Sequence, residues 1–330
     1  MKTIFVLGSN SFSGSNFVDI ALSEDFEVIG VSRSKEPHET FLKYKTNENY
    51  NEGFNFFKLD LNKNLQKIIS LIKQYKPEFV VNFSAQGMVA ESWKNPLDWY
   101  QTNLISQVDF HDQIRKFDFI KKYLNFSTPE VYGSIEGWKK ENFIFMPSTP
   151  YATSRAACDL HLMNFYKNYD FPVLFTRAAN VFGPGQQLYR IIPKAILSAY
   201  TGSKMELHGG GYSERSFINI SDAARATLKI LIEGKIGETY HISTKEKISI
   251  RDLVKRIFNI LGADFDKIVI DSDERLGKDQ SYSLDSEKLR TEFAWKESKS
   301  LHEGLLETIN WIKRDIKILK KMPQEYLHKS

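Results

Sequence analysis

The sequence predicts an α/β protein, a doubly wound parallel sheet followed by a smaller mixed lobe. Three observations carry that prediction. Short, continuous apolar runs alternate with helical stretches through the first half of the chain; the first run ends in a glycine-bearing turn that opens a helix; and after about residue 178 the rhythm breaks up. Continuous apolar strands separated by helices are the signature of a parallel sheet covered on both faces, where both sides of each strand are buried.

In chain order the strands are expected at Thr3–Leu7, Glu27–Val31, Phe54–Leu59, Phe79–Phe83, Lys122–Phe126 and Val173–Thr176. Between them, Asn62–Tyr75 places Leu65, Ile68, Ile69 and Ile72 on one helical face, and Pro96–Phe117 and Tyr151–Tyr169 are long enough for full helices. Beyond residue 178, Gly and Pro cluster at 182–185 and glycines at 209–211. A helix is expected at Ser221–Glu233, a strand at Glu238–Ile242, and helices at Ser249–Leu261 and Leu301–Lys313. The Lys-rich stretch Lys313–Ser330 reads as a solvated helix end or a disordered tail.

The length of 330 residues corresponds to about two domains. The division is placed at residues 1–178, a dinucleotide-binding unit, and 179–330, mainly a substrate lobe, with chain crossings between them allowed. A balance of 45 Lys+Arg against 41 Asp+Glu, with no basic block, argues against nucleic acid and against a polybasic membrane surface. No stretch approaches the ~18 apolar residues of a membrane span. The single cysteine, Cys158, excludes an intramolecular disulfide and a Cys-rich zinc site and fits a reducing, cytoplasmic compartment. The histidines are scattered outside any zinc signature, so no metal is expected.

The turn Gly8-Ser9-Asn10-Ser11-Phe12-Ser13-Gly14 follows the first strand and opens a helix. Glycines there permit a tight turn and let a pyrophosphate approach the positive helix end, the Rossmann arrangement. Gly8, Ser11, Phe12 and Gly14 are the candidate phosphate-loop residues, with Ser11 where a third glycine often stands; the alternative is an ordinary βα turn. The second strand runs into Ser32-Arg33-Ser34 with no carboxylate. An acidic residue there would hold the ribose of NAD, whereas hydroxyls and a guanidinium suit the 2′-phosphate of NADP. NADP is therefore the expected cofactor and NAD the alternative, and a solvated Arg33 is the plain reading. Asp60-Leu61 stands where a carboxylate could meet the adenine amino group, or where a strand simply turns.

Three segments add chemistry: the Gly8–Gly14 loop, Ser127-Thr128-Pro129-Glu130-Val131-Tyr132-Gly133 after a strand, and Tyr151-Ala152-Thr153-Ser154-Arg155 opening a helix. A tyrosine with a cation four residues on presents both on one helix face. The charge would lower the phenol's pKa so that it takes a proton from a sugar hydroxyl near neutral pH. Taken alone, Tyr151 could be a buried aromatic and Glu130 a helix or turn cap. Together, the segments resemble the extended short-chain dehydrogenase/reductase family and, within it, the nucleotide-sugar 4,6-dehydratases. Supporting matches are Asn82–Gln86, Thr176–Pro184, Arg215–Ile218 with Asp222, and Arg275–Asp279, so the resemblance spans nearly the whole chain.

The resemblance implies Thr128, Glu130, Tyr151 and Arg155 as the catalytic group. The family's cation is lysine; Arg155 keeps the charge with a different shape, which leaves its reach to the ribose hydroxyls open. A glutamate at position 130 is suited to removing the C5 proton made acidic by a transient 4-ketone. Dehydratases of the glucose type carry an Asp before this Glu. Here Pro129 replaces it, as GDP-mannose dehydratases also lack it, so Glu130 would serve as base at C5 and acid at the C6 oxygen.

The resemblance also sets Ala85, Tyr151 and Arg155 against the cofactor, and Gln86 and Met88 beside the hexose. Asn180, Arg215 and Arg275 would meet the diphosphate, and Pro193 and Lys194 the nucleoside. Each arginine could instead be a surface residue. Gly87-Met88 replaces the family's Ser-His, pointing to an altered sugar such as the 2-acetamido sugar of GDP-N-acetylglucosamine, as in legionaminic-acid dehydratases. A homodimer or dimer of dimers through the helices at 96–117 and 151–169 is implied as well. The same-fold rivals are a UDP-glucuronate decarboxylase, which needs a cation for the C6 carboxylate, and an NDP-sugar epimerase. A non-catalytic nucleotide-sensing protein is the rival of another class.

Overall fold

The computed structural model describes residues 2–134, 137–274 and 281–329. Seven parallel strands form the main sheet: β1 (Thr3–Leu7), β2 (Glu27–Ser32), β3 (Phe54–Lys58), β4 (Phe79–Asn82), β5 (Lys122–Ser127), β6 (Val173–Ala178) and β7 (Thr239–Ile242). Their spatial order is β7-β6-β5-β4-β1-β2-β3. The order reverses between β1 and β4, and ligands of open α/β sheets bind at that switch, beyond the carboxyl ends of the strands. Along β1, Ile4 and Val6 join the core on one face of the sheet, and Phe5 and Leu7 join the core on the other. That two-residue alternation with both faces covered is why the strand reads as an unbroken apolar run.

The helices flanking the sheet are α1 (Phe12–Ser23), α2 (Leu65–Tyr75), a long α3 (96–114) and α4 (Pro150–Tyr169). Helix α3 contains a π turn at Gln101–Ile105, an irregularity that often marks a functional position. The smaller lobe is built on α5 (Ile191–Thr201), α7 (Ile250–Leu261) and α8 (Leu301–Leu319), packed around a core of their own with strands Met205–His208 and Val269–Ser272. Between them the chain returns: α6 (Ile220–Glu233) covers the main sheet beside α1, and β7 pairs with β6. Residues 220–242, past residue 178 in the chain, thus lie with the main sheet.

A buried polar network ties β5, β6, β7 and α4 together. Asp159 and Arg177 form an ion pair at 2.7 Å with both side chains fully buried. Asp159 also accepts from Asn125 at 2.9 Å and Ser127 at 2.7 Å, while Arg177 donates to the Tyr132 hydroxyl at 3.0 Å, which meets His241 at 2.9 Å. The network brackets Thr128-Pro129-Glu130 between Ser127 and Tyr132.

The segment after Leu319 is neither solvated helix nor loose tail. It runs back to the main sheet and lays Tyr326, His328 and Lys329 against Gln86. Polar contacts to residues far away in sequence hold it, and composition carries no trace of those.

Candidate active site

A cleft opens at the carboxyl ends of β1, β2 and β4, lined by Gly8, Ser11, Ser32, Arg33, Asp60, Leu61 and Ala85. The loop at its floor is as tight as a chain can make it. Gly8 has φ +78°, and a Cβ on Gly14 would lie 2.1 Å from the Gly8 carbonyl oxygen. Ser11 caps α1, its hydroxyl accepting from the Gly14 N–H at 3.1 Å. A helix N-terminus directly behind the cleft-lining residues Gly8, Asn10 and Ser11 is a fit for a pyrophosphate. Phe12 does not line the cleft; its side chain is buried, and as the first residue of α1 it offers only its backbone.

At the rim, the Ser32 hydroxyl accepts from the Asn10 N–H at 3.1 Å, binding the second strand to the loop. Arg33 is half-buried and turned across the cleft, donating to the Gln86 side-chain oxygen at 2.6 Å and to the Lys329 carbonyl at 3.1 Å. It is not a solvated surface residue. Asp60 accepts from the Asn62 N–H at 2.9 Å, a strand-ending turn that still leaves its side chain on the cleft wall.

The catalytic candidates converge where the turn after β5 meets the start of α4. Thr149 caps α4, accepting from Ala152 at 3.1 Å, and Pro150 occupies the first helical position, which sets Tyr151 in the first turn. Thr128 caps the short turn Pro129–Tyr132, and its hydroxyl is hydrogen-bonded to Tyr151. Pro129 suits the first position of that turn. Burial and the neighbouring Glu130 carboxylate push the Tyr151 phenol above its ordinary value, while Arg155, the Thr128 bond and Arg190 pull it down. The net direction is upward, opposite to that expected from a Tyr-cation pair alone. Desolvation of the phenolate and an adjacent negative charge outweigh one guanidinium.

Arg155 is buried and donates to the Phe126 carbonyl at 2.6 Å. Its guanidinium is anchored to the end of β5 and acts on Tyr151 through its charge.

The loop after β4 is clamped from beneath. Asn103, buried in the π turn of α3, accepts from the Gln86 N–H at 2.7 Å and donates to its carbonyl at 3.0 Å. It also donates to Ser154 at 3.0 Å, one turn along α4 from Tyr151. Gln86 is buried and Met88 adopts φ +71°, a left-handed backbone costly for a side chain of its size. On the far side, Asn180 and Arg215 flank Ser216: Asn180 donates to the Ser216 carbonyl at 3.2 Å and Arg215 to the Glu214 carbonyl at 2.7 Å. Pro193 and Lys194 lie in the first turn of α5. Arg275 falls outside the described residues.

Asn103 and Arg190 were not legible as site residues. Asn103 looks like any polar residue of a long helix, and Arg190 precedes α5 without a motif of its own. Yet Arg190 acts on Tyr151, and its Nη2 would stand 3.9 Å from a Cβ at Gly87. Among the described residues no group of three or more His, Cys, Asp or Glu could hold a metal ion, and no helix is long and apolar enough to cross a membrane.

A Rossmann sheet with a closed glycine loop at its switch point, a Tyr on the first turn of a helix and a Thr bonded to it define a dinucleotide-dependent enzyme of the extended short-chain dehydrogenase/reductase type. Residues 5–308 match the GDP-mannose 4,6 dehydratase family, and the chain belongs to it. It is 28% identical to a dTDP-glucose 4,6-dehydratase of Xanthomonas campestris pv. campestris, with 94% of this chain and 93% of that protein covered. The dTDP-glucose 4,6-dehydratase of Bacillus anthracis, solved in complex with NAD, superposes with a TM-score of 0.86 at 28% identity, covering 97% of this chain and 99% of that one. That of Streptomyces venezuelae, solved with NAD bound, gives 0.86 at 26% identity over 96% and 98%. The chain is a nucleotide-sugar 4,6-dehydratase, a hydro-lyase.

Proposed function

We propose that this dehydratase works on a nucleoside-diphosphate hexose with Thr128, Glu130, Tyr151 and Arg155 as its catalytic group and NADP as its preferred dinucleotide. The observation that supports the catalytic reading is the proximity of Thr128, Glu130 and Tyr151 to one another, with Thr128 bonded to the phenol and Glu130 shifting its titration. A nicotinamide bound in the cleft supplies one thing, taking the C4 hydride and returning it at C6. Tyr151 takes the O4 proton, with Thr128 holding the same hydroxyl. Glu130 removes the C5 proton and, with Pro129 unable to donate, delivers a proton to the departing C6 oxygen. Arg155 holds positive charge beside the phenolate, and Met88 faces the sugar together with the backbone of Gln86, whose amide is engaged by Arg33 and Tyr326–Lys329.

The NADP preference rests on Ser32, Arg33 and Ser34 and on the missing carboxylate; NAD is the alternative. Gly8, Ser11, Gly14, Asp60, Leu61 and Ala85 would hold the rest of the dinucleotide. Asn180 and Arg215 would hold the diphosphate, and Pro193 and Lys194 the nucleoside. GDP-N-acetylglucosamine is the substrate favoured by the exchange of two polar residues for Gly87-Met88. Leu97, Ile105 and Leu160, exposed on α3 and α4, support pairing of two copies through these helices.

One observation favours a second reading, decarboxylation of a UDP-glucuronate: Arg190 is a cation near Tyr151, which a C6 carboxylate would require. Incubating the protein with UDP-, GDP-, dTDP- and CDP-hexoses and with UDP-glucuronate, and following mass, separates the two. Loss of one water supports the dehydratase and names its substrate; loss of carbon dioxide replaces it.

A further inference from the structure

The segment beyond α8 makes contacts that the reaction does not use. The Gln86 side-chain nitrogen lies 3.0 Å from the Tyr326 hydroxyl, 3.1 Å from His328 Nδ1 and 3.1 Å from the Lys329 carbonyl. An amide carries two N–H donors, so three acceptors around it form a shared cradle. The amide oxygen accepts from Arg33, whose other Nη donates to the Lys329 carbonyl, which closes a ring of Arg33, Gln86 and the segment.

Both ends of this stretch are fastened outside the ring. His328 Nε2 meets Asp98 at 2.6 Å, and its ring stacks on Trp99 with centroids 5.1 Å apart and 8° between planes. Tyr326 packs edge-on against Tyr189 at 5.7 Å, on the substrate side, and the Lys329 ammonium reaches Ser34 at 3.1 Å, on the adenosine side. Lys329 is itself part of the cleft wall.

We propose that Tyr326–Lys329 form a strap across the mouth of the dinucleotide cleft, latched on Arg33 and Gln86, which retains the bound cofactor from one turnover to the next. The inference rests on the redox-neutral reading above. A hydride taken from C4 and returned at C6 leaves the dinucleotide as it began, so nothing requires it to leave, and a closed mouth costs no turnover. The strap spans Ser34 on one side and Tyr189 on the other, so the dinucleotide cannot exchange through that mouth until the ring opens.

The test is the release rate of NADPH and, separately, NADH from preloaded protein chased with excess oxidised dinucleotide, followed by nicotinamide fluorescence. A variant lacking residues 323–330 keeps all of α8, including buried Leu319, and an unchanged melting temperature without cofactor verifies its fold. Each lost hydrogen bond or ring contact of this kind is worth roughly a factor of five. His328→Ala loses the Gln86 and Asp98 bonds and the Trp99 stack, so release should be at least fivefold and up to roughly a hundredfold faster from it, and at least as fast from the shortened chain. Unchanged release overturns the strap, as does faster sugar turnover at unchanged release, which would make the segment a block on the substrate site. Which dinucleotide the intact chain binds more tightly tests the NADP preference separately. The water-loss measurement tests the dehydratase reading, and either can fail while the ratio of release rates stands.

Discussion

Replacing Asp159 by Ala probes whether the buried network sets the geometry of the site. In the fold, Arg177 has no exposed surface and, among the described residues, one carboxylate partner, at 2.7 Å. Removing that carboxylate leaves a guanidinium out of water without a counter-charge, a change that costs about 3–5 kcal/mol where a buried pair is broken. Two features place this case toward the lower end. Arg177 keeps its bond to Tyr132, and its guanidinium sits 5.0–5.4 Å from the ring centres of Tyr132, Phe143 and Phe145, whose faces attract a cation. Asn125 and Ser127 lose an acceptor and add to the loss. Urea unfolding followed by tryptophan fluorescence and by circular dichroism gives the free energy, provided the two transitions coincide. A paired replacement, Asp159→Leu with Arg177→Met, should be less destabilised than Asp159→Ala, since it removes the orphaned charge. A single-variant loss below about 1 kcal/mol, or a double variant whose loss is the sum of the two, would refute the reasoning.

Gly14→Ala should weaken dinucleotide binding by an order of magnitude or more, because its Cβ would lie 2.1 Å from the Gly8 carbonyl oxygen and the loop must open to admit it; a fluorescence titration with unchanged affinity would contradict the closed-loop picture. Arg155→Met removes a downward pull on the Tyr151 phenol, so the rising limb of the pH–rate profile should move to higher pH, while Arg155→Lys should stay near the natural profile. Stability should fall below pH ~6.5 as the solution is acidified. Burial and the positive charge of Arg177 hold His241 down to about 3, and His111 is lowered by burial and by its neighbour His161. Both are neutral in the fold and protonate in the unfolded chain once the pH falls below their ordinary 6.5. The stabilisation is thus complete above that value and declines from there toward about 3 for His241, with a slope of up to ~1.4 kcal/mol per pH unit for each. Unfolding midpoints flat across that window would mean the two rings are charged in the fold.

The sheet was legible because its strands, apart from the partly exposed edge strand β3, bury both faces. Thr3–Leu7 is found as read from the sequence, and the other six expected strands differ at their ends by one or two residues. The glycine loop was legible because its function is a backbone requirement that only glycine meets. The direction of the Tyr151 titration was not, since it depends on how deeply the phenol is buried and on a carboxylate from another segment, neither of which local spacing encodes. The π turn at Gln101–Ile105 hides inside an unbroken helical pattern, and with it Asn103. The return of 220–242 to the main sheet leaves no composition shift, and the segment holding Tyr326–Lys329 looks solvated because the polar and ring contacts that hold it are made to residues distant in sequence.

The most direct test of the account is a single turnover of Glu130→Gln with the sugar that loses water in the natural protein. Tyr151 and Thr128 are intact, so C4 oxidation proceeds and reduced nicotinamide accumulates. Elimination depends on the missing carboxylate, so water loss should fall by at least the ~10²–10⁴-fold that a general base contributes, with no solvent deuterium entering C5. Water loss at a near-natural rate would contradict the assignment of Glu130 and require another group at C5.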